Sequence, residues 1–410
     1  MTSERAPLSV PPAPPHRLMV VGGGPFQLDM IRTAKSLGCF VAVVDRDASA
    51  PGMALSDAPL AIDTTDVEAI VRAADELAIE GVVTAASDAA VGAVAAVGDA
   101  RGLRALPVEA ARRCRDKLAT FEAMRAAGLP MPETRVAGSS LSQTILSNLG
   151  GYPLVIKPRS AAGGRGVSVV GAEEGLGAAL ARAARYAKDG EGVLAQRFVR
   201  GRAVGVEAFF AQGKLLTAFV MDDQFEPGFV SPIGHAMPTS LSVEEQARVT
   251  ADVARIAEAL ALRDGPANFD LRIEDGVTVL IEVNARLGGN SITDLVRETY
   301  GVDLSAATIR AALGFDPSPE LARRAATPTA CRLIVAKDGG VVRSIGAPPS
   351  SPSAIAIDLT VEAGRAAALR VDEHAIVGRV LARGQSPADA VDRARELAME
   401  IVNLILWERP

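Results

Sequence analysis

The sequence predicts a protein of mixed architecture, α/β at its N-terminus and α+β beyond it. Apolar strands flank a helical pattern in residues 17–47, which is typical of a βαβ unit. Glycine-centred turns later separate apolar strands in pairs, which indicates antiparallel hairpins. A chain of 410 residues is long enough for two or three domains, so both patterns can belong to one protein.

Composition and charge restrict the classes of partner. Hydrophobic residues make up 49% of the chain and charged residues 22%, which is typical of a folded globular protein. The formal net charge of −6 and the lack of any Lys/Arg block predict no nucleic-acid partner. No apolar run reaches the length of a membrane span and the N-terminus has no apolar signal segment, so we expect a cytoplasmic protein without membrane contact.

The first 112 residues predict a tail and one domain. Residues 1–15 are rich in proline and predict a disordered tail. In the predicted domain at 16–112, strands at 17–24 and 39–47 flank a helix that ends at Gly38. The glycines after the first strand do not follow the G-x-G-x-x-G pattern, so a tight βα turn is favoured over a dinucleotide site.

The middle of the chain, residues 113–315, predicts a larger domain built on hairpins. A helix follows "RDK", and two strands then flank the glycine-rich loop "SAAGGRGV" in a lid subdomain of about 135–200. One hairpin has Gly213 at its turn, and a second hairpin turns at 274–276. An amphipathic helix at 243–263 is predicted between them.

Residues 316–410 predict a C-terminal α+β region. Proline and small residues gather at 316–328, which is typical of a linker. Strands are predicted near 329–345, 354–360 and 376–382. The closing helix is expected to begin with Ser386 as its N-cap and Pro387 in its first turn.

The second hairpin carries a group of polar side chains. Glu282, Asn284 and Arg286 occupy alternate positions, so one strand face would present all three. Asp270 on the partner strand is expected nearly opposite Glu282, because the turn lies midway between them. Such oxygen ligands suit Mg²⁺ and would also accept Mn²⁺. The alternative is a solvated sheet face on which Arg286 or Arg272 neutralises the acids.

A glycine-rich loop and two lysines predict a phosphate site. Its glycines, Gly163, Gly164 and Gly166, would let backbone amides approach phosphate oxygens closely. Lys157 ends the preceding strand and could reach a phosphate, and Lys117 opens the helix at "RDK". The alternative is a flexible surface hairpin with solvated lysines. Together with the carboxylates, these groups favour phosphoryl transfer from ATP, where positioning and charge neutralisation do most of the catalysis.

In their order along the chain, these motifs resemble the ATP-grasp superfamily. The likeness extends over most of residues 17–400, through "RDK", "VIKP", "GGRGV", "VLAQRFV" and "FDLR…IEVNARLGG". It implies an ATP-grasp fold with an N-terminal βαβ pre-ATP-grasp domain, a mobile lid subdomain and a C-terminal α+β region. It also implies that ATP and Mg²⁺ are bound.

The resemblance implies a nucleotide-binding role for each matching residue. Lys117 and Lys157 would hold the α- and β-phosphates beneath a lid formed by the three loop glycines. The side chain of Gln196 and the backbone of Arg197 and Phe198 would bind adenine. Family members usually have Glu where Gln196 stands, but Gln can still accept a hydrogen bond from the adenine amino group.

The resemblance also implies the metal ligands and the residue that steadies the transferred group. Glu207 would contact ribose, whereas Ala203 replaces the polar residue that many members have nearby. Arg286 would stabilise the transferring phosphoryl group and the acyl phosphate. The implied Mg²⁺ ligands are Asp270, Glu282 and Asn284.

Two segments resemble one branch of the superfamily. "GFVSPIGHAMPTSLS" and "RLGGNSITDLVRETYGVDL" are similar to L-amino-acid ligases, and the N-terminal segment also resembles the pyrrolysine-pathway amino-acid ligase and purine-pathway carboxylate ligases. The implied function is an ATP-dependent ligase that activates a carboxylate as an acyl phosphate and joins it to an amine. Candidate substrate contacts are Arg286, Gly288, Gly289 and His235. A structural turn histidine is an equal alternative for His235.

Two other functions stay open. The first is a bicarbonate-using carboxylase or carbamoyl-phosphate-type enzyme, although the chain lacks the duplicated halves of carbamoyl phosphate synthetase. The second is a non-catalytic ATP-binding sensor. Expected partners are a small-molecule carboxylate and an amine, and the superfamily also makes a homodimer an option.

Overall fold

A parallel sheet with helices on both faces forms the N-terminal part of the chain. The computed structural model describes residues 15–138, 140–188, 190–336, 339–367 and 375–408, so the predicted tail, apart from Pro15, lies outside the described residues. The strands are β1 (Arg17–Val21), β2 (Phe40–Val44), β3 (Ala58–Leu60) and β4 (Gly81–Val83). The helices are α1 (Leu28–Ser36), α2 (Val67–Glu76), α3 (Val91–Arg101) and α4 (Val108–Arg115), with short 3₁₀ turns at Pro25–Gln27 and Met53–Leu55.

The order of this sheet is β3-β2-β1-β4, and the paired strands are parallel. Strands β1 and β2 are almost wholly buried, because both of their faces are covered by helices and their sequences are continuous apolar runs. This arrangement confirms the predicted βαβ unit.

A smaller antiparallel sheet follows helix α5 (Lys117–Ala126). Its elements are β5 (Thr134–Ala137), α6 (Gln143–Asn148), β6 (Leu154–Pro158), β7 (Ser168–Val170), α7 (Leu176–Ala184) and β8 (Val193–Arg197), with a 3₁₀ turn at Glu173–Gly175. The strand order is β5-β8-β6-β7. Strands β6 and β7 pair on either side of the glycine-rich loop, as predicted. The sheet has its own apolar core, which includes Leu149, Leu154 and Ile156.

The two predicted hairpins lie side by side in a larger sheet. Their elements are β9 (Arg202–Ala211), β10 (Lys214–Gln224), β11 (Gly234–Met237), α8 (Val243–Ala259), β12 (Gly265–Glu274) and β13 (Val277–Asn284). Gln212 and Gly213 form the first turn with positive φ, and Asp275 and Gly276 form the second in the same way. Two successive residues with positive φ give the tight turn whose twist matches that of paired strands.

The remaining elements complete this sheet and a short second one. They are α9 (Ile292–Tyr300), α10 (Leu304–Ala312), β14 (Thr329–Ala336), β15 (Gly340–Ile345), β16 (Ala354–Leu359), β17 (Ala366–Ala367), β18 (Ala375–Arg383), α11 (Pro387–Leu404) and β19 (Ile405–Glu408), with a 3₁₀ turn at Ser318–Leu321. Ser386 caps α11 by accepting a hydrogen bond from the Asp389 amide, which confirms the predicted start of this helix.

Strands from both sides of the predicted 315/316 boundary belong to one sheet. Its order is β13-β12-β9-β10-β11-β14-β18-β16, and β17-β15-β19 form a separate sheet. The C-terminal region therefore continues the sheet that the hairpins begin, and the proposed division of the chain into domains stays a prediction. No helix within the described ranges is long and apolar enough to cross a membrane.

Candidate functional site

Asp270 and Glu282 lie directly opposite each other on strands β12 and β13. The register pairs them, and a bulge follows between Asp270 and Leu271. On its other side Asp270 pairs with Gly205 of strand β9. A Cβ at Gly205 would lie 2.8 Å from Oδ1 of Asp223, so the missing side chain lets Asp223 approach. Three carboxylates thus follow one another across one sheet face, of which the sequence predicted two.

Two lysine side chains, those of Lys117 and Lys157, lie next to the carboxylates of Asp270 and Glu282. Nζ of Lys117 lies 2.9 Å from Oε1 of Glu282 and donates to the carbonyl of Ala161 at 2.7 Å. Asp116 holds the start of α5 by capping the Leu118 amide, and it forms an ion pair with Arg159 at 2.6 Å. The segment "RDK" therefore joins helix α5 to the strand before the glycine-rich loop.

Lys157 lies deeper, with 4% of its surface exposed. Burial, together with the neighbouring charge of Lys117, lowers the pKa of Lys157 to about 8, and Glu282 and Asp270 oppose this change. The two lysines and the two carboxylates form one coupled group of charges. The sequence predicted each of these four side chains, and the structure brings them together.

The two paired carboxylates have opposite pKa shifts. Burial and the charges of Asp223 and Glu282 raise the pKa of Asp270. Burial acts in the same direction on Glu282, but the ammonium groups of Lys117 and Lys157 outweigh it and lower its pKa. Glu282 is therefore the carboxylate that keeps its negative charge, whereas Asp270 binds a proton more readily than an ordinary aspartate does.

Arg286 lies two residues beyond the end of the strand on which its spacing placed it, although its charge still lowers the pKa of both Asp270 and Glu282. Strand β13 ends at Asn284, and the Arg286 amide donates to the Asn284 carbonyl at 2.8 Å, which turns the chain. The guanidinium reaches Asp88 in the loop after β4, where Nη2 lies 2.9 Å from Oδ1. Its Nε is buried without a hydrogen-bond partner among the described residues. Arg286 thus lies at the junction with the N-terminal sheet.

Sequence reasoning missed Asp88, although a signal for it exists. The residue follows a buried strand of a parallel sheet, and ligand-binding side chains gather at the carboxyl ends of such strands. The loop is fixed by a hydrogen bond of 3.0 Å from the Ala86 amide to the Leu287 carbonyl. The loop after β4 therefore binds the backbone of Leu287 through Ala86 and the side chain of Arg286 through Asp88.

Glu207 is fully buried beneath the turn that follows Arg286. Both of its carboxylate oxygens accept from the Gly288 amide at 3.2 Å, and Oε2 accepts from Nδ2 of Asn268 at 3.1 Å. A Cβ at Gly288 would lie 2.8 Å from Oε2, so this position requires glycine. A carboxylate with 0% exposure and these partners is not presented to a ribose. The geometry therefore contradicts the expected ribose contact and indicates that Glu207 supports the turn.

Gly288 and Gly289 differ in what surrounds them. The nearest atom to a Cβ at Gly289 would be Cβ of Ala86 at 3.6 Å, an ordinary contact. The sharp change of direction comes after both glycines, at Asn290 and Ser291, which have positive φ. The predicted substrate contact of Gly288 and Gly289 stays a prediction.

The glycine-rich loop requires the glycines that the sequence singled out. Gly163, Gly164 and Gly166 all have φ between 65° and 75°, in the left-handed region. A Cβ at Gly164 would lie 2.7 Å from Oγ of Ser231. The loop therefore packs against the segment that joins β10 to β11.

A cavity of about 190 Å³, which we call the cleft, lies beside this loop. Its lining comes from the N-terminal sheet, the lid loop and strand β13, and includes Asp88, Lys117, Ala161, Glu282 and Asn284. One predicted phosphate-binding side chain, that of Lys117, and two predicted metal ligands, Glu282 and Asn284, thus share one cavity. Lys157 and Asp270 are not among the residues that line it.

The predicted adenine-binding segment is anchored at both ends. Nε2 of Gln196 donates to Oγ1 of Thr134 at 2.8 Å, and the Arg197 amide donates to the Glu133 carbonyl at 2.9 Å. The Arg197 amide is therefore engaged within the fold, which removes it from the backbone groups expected to bind adenine. The side chain of Arg197 pairs with Glu274 at 2.8 Å. The predicted roles of Gln196, of Phe198 and of the Arg197 carbonyl stay predictions.

His235 belongs to the row of acids. Its Nδ1 lies 2.7 Å from Oδ1 of Asp223, its cross-strand neighbour on β10, while its Nε2 is buried without a hydrogen-bond partner in the described part of the chain. The hydrogen bond to Asp223 agrees with a structural role for His235, and the unpaired Nε2 leaves a substrate contact open. Asp223 was missed, although two acids in the otherwise apolar strand "LLTAFVMDDQ" were a signal.

The donor set fits a hard cation that phosphate and water help to coordinate. In the ranges that the structure describes, no group of three or more His, Cys, Asp or Glu side chains is arranged to hold a metal ion. Asp270 and Glu282 supply two adjacent carboxylates, and Asn284 supplies an amide oxygen. Mg²⁺ is commonly held by one or two carboxylates plus phosphate oxygens and water. Burial, followed by the like charges of Asp223 and Glu282, raises the pKa of Asp270, and a bound cation would oppose this rise.

Comparisons with known proteins agree with this architecture. Residues 150–294 match the family described as "ATP-grasp domain". The crystal structure of L-amino acid ligase from Bacillus licheniformis superposes with a TM-score of 0.79 at 20% identity, over 97% of this chain and 100% of that one. At this identity the likeness shows the fold, and it confirms the ATP-grasp fold class that the sequence predicted.

The chain matches a small part of one curated relative and nearly the whole of another. Human carnosine synthase 1 is 35% identical over 131 residues, which are 32% of this chain and 16% of that protein. The chain thus matches only a small part of this relative. Formate-dependent phosphoribosylglycinamide formyltransferase of Synechococcus elongatus is 27% identical over 396 residues, which are 87% of this chain and 96% of that protein.

Proposed function

We propose that this chain, a member of the ATP-grasp superfamily, is an ATP-dependent ligase that joins a carboxylate to an amine. One observation carries the proposal: the opposed carboxylates of Asp270 and Glu282 meet the ammonium groups of Lys117 and Lys157. Such a group can bind a triphosphate on its cationic side and phosphate-bound metal on its anionic side.

The first half-reaction uses this charge distribution. Lys117 and Lys157 would bind the phosphates of ATP, and the loop that contains Gly163, Gly164 and Gly166 would close over them. The substrate carboxylate attacks the γ-phosphorus, the bond to the β-phosphate oxygen breaks, and ADP leaves. Arg286, held by Asp88, would stabilise the charge on the transferred group.

Mg²⁺, held by Asp270, Glu282 and Asn284, would neutralise phosphate charge when bound. The residues of the chain then act on the acyl phosphate. Closure of the glycine-rich loop would exclude water, which would otherwise hydrolyse it. The amine attacks the acyl carbon, the bond to phosphate breaks, and an amide and inorganic phosphate result. No nucleophile of the protein is needed.

Amino acids or similar small metabolites are the proposed substrates. The resemblance of "GFVSPIGHAMPTSLS" to L-amino-acid ligases supports this class, as do the names of two matched proteins, an L-amino acid ligase and a carnosine synthase. His235 would contact the substrate through Nε2, which is buried without a hydrogen-bond partner in the described ranges, so this contact would require Nε2 to become exposed when the substrate binds.

Release of ADP across a panel of carboxylates and amines tests the proposal. A ligase requires both an acid and an amine for rapid ADP release, and mass spectrometry should detect the amide. Release that depends on bicarbonate instead would favour a carboxylase or carbamoyl-phosphate-type enzyme. ATP binding without turnover for any pair would favour a sensor. Either of these last two outcomes contradicts the ligase.

A further inference from the structure

A groove lies between helix α11 and the segment that joins β10 to β11, on the outside of the large sheet. Its volume is about 1150 Å³, which is large enough for a small organic ligand. Charged and apolar side chains both line it, including Glu226, Phe229, Arg332, Arg395, Met399 and Trp407. Nothing in the proposed ligase reaction uses these residues.

The groove is on the face of the sheet opposite the acidic row. On strand β11, Gly234 pairs with Arg332 and the next residue, His235, pairs with Cys331. Because successive residues of a strand point to opposite faces, Arg332 lies on the face away from His235. Helix α11 covers that second face, where its apolar residues pack against Ala330 and Ile334. The groove is therefore separate from the cleft.

Two arginines and one carboxylate, that of Glu226, line one end of the groove. Arg332 is buried, and its Nη2 lies 2.6 Å from Oε1 of Glu226. Arg395 has a half-exposed side chain, and its nearest carboxylates, those of Glu226 and Asp392, lie 4.0 and 3.9 Å away. Glu226 is thus shared by two guanidinium groups. Arg395 retains capacity to pair with an anion that enters the groove.

Apolar surface continues from this charge along the groove. Arg395, Met399 and Val402 are spaced by four and three residues, so they share one face of α11. Met399 is 61% exposed, and the half-buried ring of Trp407 closes the wall on strand β19. An exposed apolar wall next to an incompletely paired guanidinium suits a ligand with one charged and one apolar end.

We propose that this groove is a second ligand site, which binds a small organic anion. The carboxylate or sulfonate of the ligand pairs with Arg395. Its apolar body lies against Met399, Phe229 and Trp407.

Anilinonaphthalene sulfonate is a suitable probe, since it combines an aromatic body with one negative charge. Trp407 is the single tryptophan of the chain, so energy transfer from it to the bound dye reports a dye near the groove. The titration is done on the full chain twice, once without nucleotide and once with saturating ATP and Mg²⁺. We expect saturable energy transfer that ATP does not displace. Displacement by ATP would place the dye in the cleft and overturn the proposal.

Two arginine variants and one neutral dye test the charge requirement. Arg395→Gln should weaken binding of the sulfonate about tenfold, because it removes a charge-assisted contact. Arg393→Gln is the matched control: Arg393 is on the same helix, but it pairs with Asp389 at 2.9 Å and does not line the groove. Phenylnaphthylamine, which lacks the sulfonate, should bind weakly and equally to all three proteins.

Equal affinity of the sulfonate for Arg395→Gln and the unchanged chain would overturn the proposal, as would an equal loss in Arg393→Gln. Because Arg395 is exposed, misfolding of its variant is not expected, and an unchanged Trp407 emission spectrum without dye verifies this.

Discussion

The ammonium of Lys117 lies 2.9 Å from the carboxylate of Glu282. The first residue of helix α5 and the third residue from the end of strand β13 thereby share one ion pair inside the cleft. The pair keeps Glu282 ionised, since the two lysines lower its pKa against the effect of burial. An ionised Glu282 is what both metal binding and the placement of Lys117 require.

Glu282→Gln should abolish ADP release while the fold is retained. The amide keeps the size of the side chain but removes the negative charge that pairs with Lys117 and would hold the metal. Steady-state ADP release and circular dichroism provide the two measurements. Glu258→Gln, at an exposed position on α8, is the control and should turn over normally. Normal turnover by Glu282→Gln would exclude the proposed metal site.

Asp88→Asn should lower kcat about tenfold with little change in the KM for ATP. The substitution weakens the contact that directs Arg286, and a charge-assisted hydrogen bond contributes about 1.5–3 kcal/mol. Arg286→Ala should cost more, roughly 10²–10³-fold in kcat, because it removes the charge itself. In the Arg286→Ala background, Asp88→Asn should have no further effect. An additive loss in the double variant would show that Asp88 acts independently of Arg286.

Gly288→Ala should destabilise the protein by about 1–3 kcal/mol, whereas Gly289→Ala should not. A Cβ at Gly288 would lie 2.7 Å from Cδ1 of Ile292 and 2.8 Å from Oε2 of Glu207. The nearest atom at Gly289 would be 3.6 Å away, and neither glycine has a left-handed φ. Chemical denaturation of both variants measures the difference. Equal stabilities would mean that the Glu207 support is not rigid.

The stability of the chain should depend on pH through Glu207. Burial raises the pKa of Glu207 from 4.5 to about 7, although the Gly288 amide, Arg286 and Asn268 oppose the change. The folded state then holds this proton more tightly than the unfolded chain does. The resulting stability is complete below the ordinary pKa of 4.5 and is lost as the pH rises through about 7.

Glu207→Gln should remove this dependence. At about 1.4 kcal/mol per pKa unit, the free energy of unfolding of the unchanged chain should fall by up to about 3 kcal/mol over this pH window because of Glu207. Urea denaturation at several pH values measures it, and the difference between the two proteins isolates one group. Parallel pH profiles for the variant and the unchanged chain would rule out the raised pKa.

Patterns among residues close in sequence were sufficient to predict the hairpins and the glycine-rich loop, together with the carboxylates and glycines that they contribute to the candidate site. The opposition of Asp270 and Glu282 followed from the midpoint of a hairpin turn, because the register of a tight hairpin is set by its turn. The loop glycines were identified in the same way, and Gly163, Gly164 and Gly166 all have the positive φ that only glycine adopts easily.

The two-residue periodicity of a strand predicts side-chain direction only as far as Asn284, where strand β13 ends. Counting placed Arg286 on the strand of Glu282 and Asn284, but that strand ends at Asn284, and the guanidinium of Arg286 pairs with Asp88, which is 198 residues away in sequence. The spacing could not reveal this, because a period of two holds only while the backbone stays extended.

The sequence by itself determined the order of motifs, the hairpins, the glycine loop and the chemistry of the polar groups. Each depends on residues close in sequence, where backbone preferences and side-chain periodicity decide the geometry. Only the tertiary structure decided which groups are buried and paired. Glu207 is held under Gly288, and Asp223 reaches the acidic row across Gly205, because separate strands meet there. Burial and long-range pairing arise from packing between distant segments, and no local pattern encodes them.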